Sequence, residues 1–203
     1  VKLAGKSVAL VGNATSALAR DHGALIDSQD VVIRMNAGVP HEDQFHALGA
    51  RTDILSVGTV RVLEDSVKRL NSRLTDIWFC KATKMGNREW EHLCRDWRFP
   101  HLWRIPQEWI RASHEAVGGK SSQGVTLGLA LVGALQAESV LMFGVDFFGA
   151  NGSAGSWWHD TAPKAVITKR RPHNGQREME TFQEAGYTER EPGCWEWTRF
   201  TTR

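Results

Sequence analysis

One stretch, residues 120–148 (KSSQGVTLGLALVGALQAESVLMFGVDFF), limits the fold more than any other, because it joins the most apolar helix of the chain to its most apolar strand. Ser121 or Ser122 can cap the first free amides of that helix, and Val125, Leu127, Leu129, Leu131, Val132 and Leu135 then surround it on nearly every side. Such a helix is buried. Gly128 and Gly133 each cost it about 1 kcal/mol relative to alanine, a cost usually tolerated where another backbone must come close. The run SVLMFGV at 139–145 follows at once without polar alternation, the pattern of a parallel strand covered on both faces. This unit is the middle of an α/β sheet. In such sheets the amide-rich start of a helix suits an anion, so Ser122, Gln123 and Gly124 are candidates for holding a charged ligand; a well-capped core helix is the alternative reading.

The rest of the chain keeps the same rhythm. Residues 7–12 (SVALVG) form a first strand that runs into Gly12, Asn13, Ala14, Thr15 and Ser16, with a helix expected over 17–25. Residues 31–35 (VVIRM) form a second strand, ending at Asn36. Asn13 and Asn36 thus sit where the ligands of open sheets bind, although asparagine is also a routine turn residue. Further strands are expected at 53–57, 76–80 and 101–105, and helices at 62–74, at 88–96 and from Gln107. The turn after the first strand is neither G-x-G-x-x-G nor a P-loop, so the usual pyrophosphate cradles are absent. After the central unit, residues 149–172 carry Gly, Ser and Pro with little periodicity, as in an active-site loop or lid. Helical spacing resumes at Asn174, a plausible cap, and runs to Ala185 with Gly186 at the stop; residues 194–200 (CWEWTRF) read as a late edge strand.

Length and charge narrow the class. The 203 residues fit one domain, large enough to bury a mostly parallel sheet between helices. The 25 basic residues against 23 acidic leave no strong electrostatic footprint, which argues against nucleic acid as a partner. No run approaches the length of a membrane span, no leader pattern is present, and Cys80, Cys94 and Cys194 are too few and too irregular for a disulfide framework or zinc site. A soluble protein of a reducing compartment is expected. Of the nine tryptophans most are read as core, but Trp157 and Trp158 lie in a Gly/Ser-rich loop where an aromatic face can stack on a sugar or base.

With these pieces placed, four motifs resemble the eukaryotic-type sialyltransferases, glycosyltransferase family 29. VALVGNA at 8–14, IDSQDVVIRMN at 26–36 and GARTD at 49–53 resemble the family's large motif, and residues 121–145 its small motif. WHD at 158–160 resembles the third motif, and His173 followed by Glu178 the very small motif. The resemblance implies a single Rossmann-like α/β domain, a GT-A-like variant, over residues 1–203. It also implies a CMP-sugar donor and inversion at the anomeric carbon, with a glycan or glycolipid as acceptor. A monophosphate leaving group needs less neutralisation than a diphosphate, and the chain has no D-x-D pair, so neither metal nor other cofactor is expected.

The same resemblance distributes the roles. His173 is the general base toward the acceptor hydroxyl, and His159 donates a hydrogen bond or proton to the departing phosphate. Asn13 and Asn36, with Ser122, Gln123 and Gly124, hold the donor, and Trp157 or Trp158 covers the cytosine or the acceptor. Glu178 either supports its segment or is simply an acid favoured in the first turn of a helix. The family's animal members join the large and small motifs by a disulfide, and the corresponding positions here are Val8 and Ala137. That departure points to a bacterial enzyme working in the cytoplasm, with peripheral inner-membrane association, on a lipid-linked or surface glycan precursor. It leaves two donors open, sialic acid and Kdo, which share the carboxylate, the anomeric carbon and the CMP leaving group. An oxidoreductase on a related sheet and a non-catalytic glycan-binding module are the rival classes.

Overall fold

The computed structural model describes residues 2–67, 69–70, 76–81, 84–96, 101–150 and 173–199. Apolar runs become strands: β1 (Ser7–Val11), β2 (Val31–Met35), β3 (Ile54–Val57), β4 (Asp76–Phe79), β5 (Leu102–Arg104), β6 (Ser139–Phe143), β7 (Thr188–Glu191) and β8 (Cys194–Thr198). Their order in one sheet is β5-β4-β3-β2-β1-β6-β8-β7, with β1 to β6 parallel and the last two antiparallel. The sheet is the mostly parallel one expected of an α/β fold. Chain direction across it reverses at β1, which has β2 on one side and β6 on the other, so a crevice forms at the carboxyl ends of these strands.

Side-chain alternation sorts the core into two layers. Val8, Leu10, Ile33, Ile54, Trp78, Val140, Met142 and Trp195 point to one face. There they meet α5 (Gln107–Val117), α6 (Gln123–Val132) and α7 (Gly175–Glu184) through Ile110, Val117, Val125, Leu127, Leu131 and Phe182. On the opposite face Ala9, Val11, Val32 and Phe143 meet Ile26 of α1 (Gly23–Asp27) and Leu48 of α2 (Phe45–Leu48). Leu55, Ile77 and Phe79 meet Leu63 of α3 (Val60–Val67) and Leu93 of α4 (Lys84–Asp96). Burial of the α6 side chains, at about 1.5–3 kcal/mol for each large one, holds this helix over the sheet centre. Val8 and Ala137 are both fully buried in the larger cluster. Cys80, Cys94 and Cys194 are free thiols; burial pushes Cys80 up to about 12 and Cys194 to about 11, so neither is a ready nucleophile.

Three expectations need correction. The residues after β1 do not make one helix but a 3-10 turn (Thr15–Leu18) followed by α1, because Ala14 is held back by its N–H bond to the Gly144 carbonyl. The strand β8 is not an edge: it pairs with β6 on one side and β7 on the other, since buried Trp195 must reach the core beside Phe147. The edge on this side of the sheet is β7, whose mostly exposed Thr-Glu-Arg-Glu sequence is charged as solvent-facing edges are. Gly128 makes room for the Phe182 ring and the Met142 sulfur, not for another backbone; a Cβ there would sit 2.5 Å from Phe182 Cζ. Of the tryptophans, Trp78 and Trp195 are core, Trp90, Trp103, Trp109 and Trp197 are half-buried, and Trp97, Trp157 and Trp158 lie outside the described residues. Among the described residues no helix is long and apolar enough to cross a membrane.

Candidate active site

The parallel strands deliver their carboxyl ends to one rim, and the start of α6 faces that rim. Arg34, fully buried in β2, donates to the carbonyls of Leu48, Gly49 and Arg51 and to Thr52 Oγ1, and so ties the turn 48–52 to the strand that ends in Asn36. Desolvation pulls this guanidinium down to about 10, with Asp27 and Asp53 opposing.

Asn36 has φ 51°, a left-handed conformation that asparagine tolerates better than most residues. Its Oδ1 accepts from the Gly58 N–H at 3.0 Å, and its own N–H donates to the Ser56 carbonyl at 2.7 Å. Buried Ser56 Oγ accepts from Gln123 Nε2 at 2.8 Å, so β2, β3 and the start of α6 are stitched at one point. Asn13 comes to the same rim from β1: a Cβ at Gly38 would lie 2.7 Å from Asn13 Oδ1, an oxygen that is buried and makes no hydrogen bond among the described residues. The two asparagines and Gln123 are thus brought together. Gly124 is buried against the Met35 thioether and Val145, which fill the space beside it.

Ser122 is the N-cap of α6, its Oγ accepting from the Val125 N–H at 3.4 Å. Its own N–H donates to Glu178 Oε1 at 2.8 Å, which leaves the Gln123 and Gly124 amides as first-turn donors. Glu178, in the first turn of α7, is 0% exposed. The same Oε1 faces His173 Nδ1 at 3.2 Å, and the Lys120 carbonyl faces that Nδ1 at 3.0 Å. A carbonyl only accepts, so Nδ1 carries the hydrogen and Nε2 holds the free lone pair. The His173 ring also stacks on Phe148, centroids 5.0 Å apart and planes at 15°. Phe147 and Phe148 have φ 45° and 56°, unusual for bulky residues and worth about 1–3 kcal/mol of strain each. Gly175 supports that corner, since a Cβ there would collide with the Phe147 carbonyl.

Trp157, Trp158 and His159 lie outside the described residues. Three residues at the rim were not foreseen. Ser56 is the penultimate residue of β3, a small polar side chain inside an apolar run with nothing to mark it as a site residue. Asp146 follows β6 at its carboxyl end, accepts from Ser16 Oγ and keeps Oδ2 buried without a partner among the described residues; the end-of-strand rule that selected the asparagines would have selected it too. His114, in the last turn of α5, touches Ser121 by backbone and side chain. Nothing in its sequence neighbourhood distinguishes it from a basic residue favoured at a helix C-terminus.

The model of glycosyltransferase family 29 (sialyltransferase) matches residues 4–90. A mammalian sialyltransferase crystallised with Gal-beta-1-3GalNAc-ortho-nitrophenol is similar over 90% of this chain at 20% identity, with TM-score 0.63. Another crystal structure of a mammalian sialyltransferase matches at 19% identity and TM-score 0.62, also over 90% of this chain. The chain spans 66% of the length of each. No curated protein sequence matches. The resemblance is therefore borne out over residues 4–90, the part that holds the large motif and matches glycosyltransferase family 29 (sialyltransferase), and the chain as a whole shares the fold of the mammalian sialyltransferases.

Proposed function

We propose that the protein is an inverting glycosyltransferase that moves a sialic acid from its CMP ester to a hydroxyl of a glycan or glycolipid. The observation that carries this reading is the His173 ring, whose Nδ1 is taken by the Lys120 carbonyl and Glu178 while Nε2 keeps its lone pair. In the reaction Nε2 takes the proton of the acceptor hydroxyl, the hydroxyl oxygen bonds to the anomeric carbon opposite the phosphate, and the bond to phosphate oxygen breaks as CMP leaves. Glu178 stabilises the imidazolium that forms, as the third member of a triad does. Asn13, Asn36, Gln123 and the first amides of α6 bind the donor and take up charge on the departing phosphate. His159 assists that departure, and Trp157 or Trp158 covers the bound groups, the segment 149–172 acting as their lid. These groups all belong to one domain over residues 1–203, and the reaction they support requires no metal.

Val8 and Ala137, where the animal enzymes' disulfide would stand, support a bacterial cytoplasmic setting and with it the CMP-Kdo donor as the second reading. The test follows CMP release from CMP-sialic acid and from CMP-Kdo, each with a mixture of glycan acceptors. Release from CMP-sialic acid, lowered about 100-fold or more in His173→Ala with donor binding retained, is the expected result. Turnover of CMP-Kdo alone moves the reading to the second donor. Unchanged turnover in His173→Ala rejects the assignment of the base.

A further inference from the structure

A single peptide unit links two histidines. The carbonyl of the Lys120–Ser121 peptide accepts from His173 Nδ1 at 3.0 Å, and the N–H of that same peptide donates to His114 Nδ1 at 3.1 Å. The hydrogen bonds run head to tail from one imidazole through the amide to the other, an arrangement in which each bond polarises the next. The following amide, Ser122 N–H, is held by Glu178. The carbonyl that orients the proposed base is therefore fixed on one side by His114 and on the other by Glu178.

We propose that His114 is a positioning residue for His173: through the Lys120–Ser121 peptide it fixes the carbonyl that holds the His173 ring, and it does so only while its own Nδ1 is unprotonated. The inference rests on His173 being the general base. Protonated His114 has no lone pair on Nδ1, so it cannot accept from Ser121 N–H. It would donate instead to Ser121 Oγ, which lies 2.7 Å from the same nitrogen. That oxygen is itself part of a buried hydroxyl triangle with Ser113 at 2.7 Å and Thr126 at 3.0 Å, Ser113 giving its hydrogen to the Ile110 carbonyl at 2.8 Å. An acceptor for the incoming proton is thus already in place, and protonation exchanges a bond to the peptide for a bond to the hydroxyl.

The surroundings favour the working form. Desolvation first, then the charges of Lys120 and His173, hold His114 below the ordinary histidine value, against the opposing Glu178 carboxylate. These three are the charged groups that face it from the loop before α6, the segment before α7 and α7 itself. His114 thereby reports acidification to the base without touching substrate.

The experiment compares wild type, His114→Ala, His114→Asn and His173→Ala, all as the full chain, with whichever of CMP-sialic acid and CMP-Kdo is turned over. His114→Ala should lower kcat about tenfold, the kinetic equivalent of one lost hydrogen bond, with donor KM changed by less than about twofold. Asparagine places Oδ1 where Nδ1 was and does not titrate. His114→Asn should therefore recover kcat to within about threefold of wild type, and at about pH 5.5 should keep a larger share of its neutral-pH rate. Wild-type kcat in His114→Ala, or His114→Asn as impaired as His114→Ala at both pH values, overturns the role of His114. Full activity in His173→Ala overturns the general-base reading itself, and His114 falls with it.

Discussion

Replacing Glu178 by glutamine separates the scaffolding work of this carboxylate from its charge. Glutamine keeps an acceptor for Ser122 N–H, but its amide NH2 arrives where Glu178 Oε2 is buried without a hydrogen-bond partner among the described residues. An unsatisfied buried donor costs about 1–3 kcal/mol, which for a chain of this size lowers Tm by about 2–12 °C. The catalytic cost has another origin. If His173 is the base proposed above, a full charge 3.2 Å from the ring that then becomes cationic is worth about 5 kcal/mol at an effective dielectric constant near 20. With His173 partly open to water, roughly half of that survives, about 2–3 kcal/mol, or a 30- to 160-fold fall in kcat. The loss stops well short of the roughly ten-thousandfold that follows when a triad histidine adopts the wrong tautomer, because the Lys120 carbonyl still holds the hydrogen on Nδ1. Steady-state kcat and donor KM, with a thermal melt on the same samples, measure both parts. A folded Glu178→Gln with kcat within threefold of wild type refutes the electrostatic role, and a fall approaching the wrong-tautomer value refutes the claim that Lys120 sets the tautomer.

Three further outcomes follow from the geometry. Gly128→Ala puts a methyl 2.5 Å from Phe182 Cζ, and that ring is already confined by Phe147 and Tyr187 at centroid distances of 5.2 and 4.4 Å. Overpacking of about 1–3 kcal/mol exceeds the helix gain of about 1 kcal/mol, so urea unfolding should show a net loss of stability. Asn36→Ala removes the acceptor for Gly58 N–H from a residue at φ 51° and should weaken CMP binding; unaltered calorimetric affinity in both this variant and Asn13→Ala would displace the donor from this rim. His114 has a lowered folded-state value, so between that value and about 6.5 the unfolded chain binds the more protons and stability rises with pH. Its contribution is complete above about pH 6.5 and lost on acidification below it, whereas His114→Asn should show a shallower acid slope in chemical unfolding.

Much of this architecture is legible along the chain because it follows from local chemistry. The largely apolar runs at 31–35, interrupted only by Arg34, and at 140–143 become central strands, and the caps at Ser122 and Asn174 begin α6 and α7 where serine and asparagine oxygens meet free amides. What escaped depends on contacts distant in sequence. The β7 residues Thr188–Glu191 are all polar, and only pairing with β8 makes them a strand. Glu178 looks like any first-turn acid until the fold brings Ser122, fifty-six positions earlier, onto its oxygen. His114 is tied to the site through a backbone amide, and no residue pattern encodes that link. The left-handed Phe147 and Phe148 run against the preference of bulky residues, so propensity points away from the turn that seats His173.

The place of β1 in the sheet bears on how the polypeptide is made. Val8 pairs with Val31 on one side and with Val140 on the other. A ribosome working at about 5–20 residues per second therefore delivers the second neighbour about 5–20 s after the first. During that interval an apolar ladder edge waits in the cytosol or lumen with nothing beside it, an invitation to pairing with a stranger. A holdase that covers this edge should accordingly raise the yield of native material more than any change to the exposed charges would.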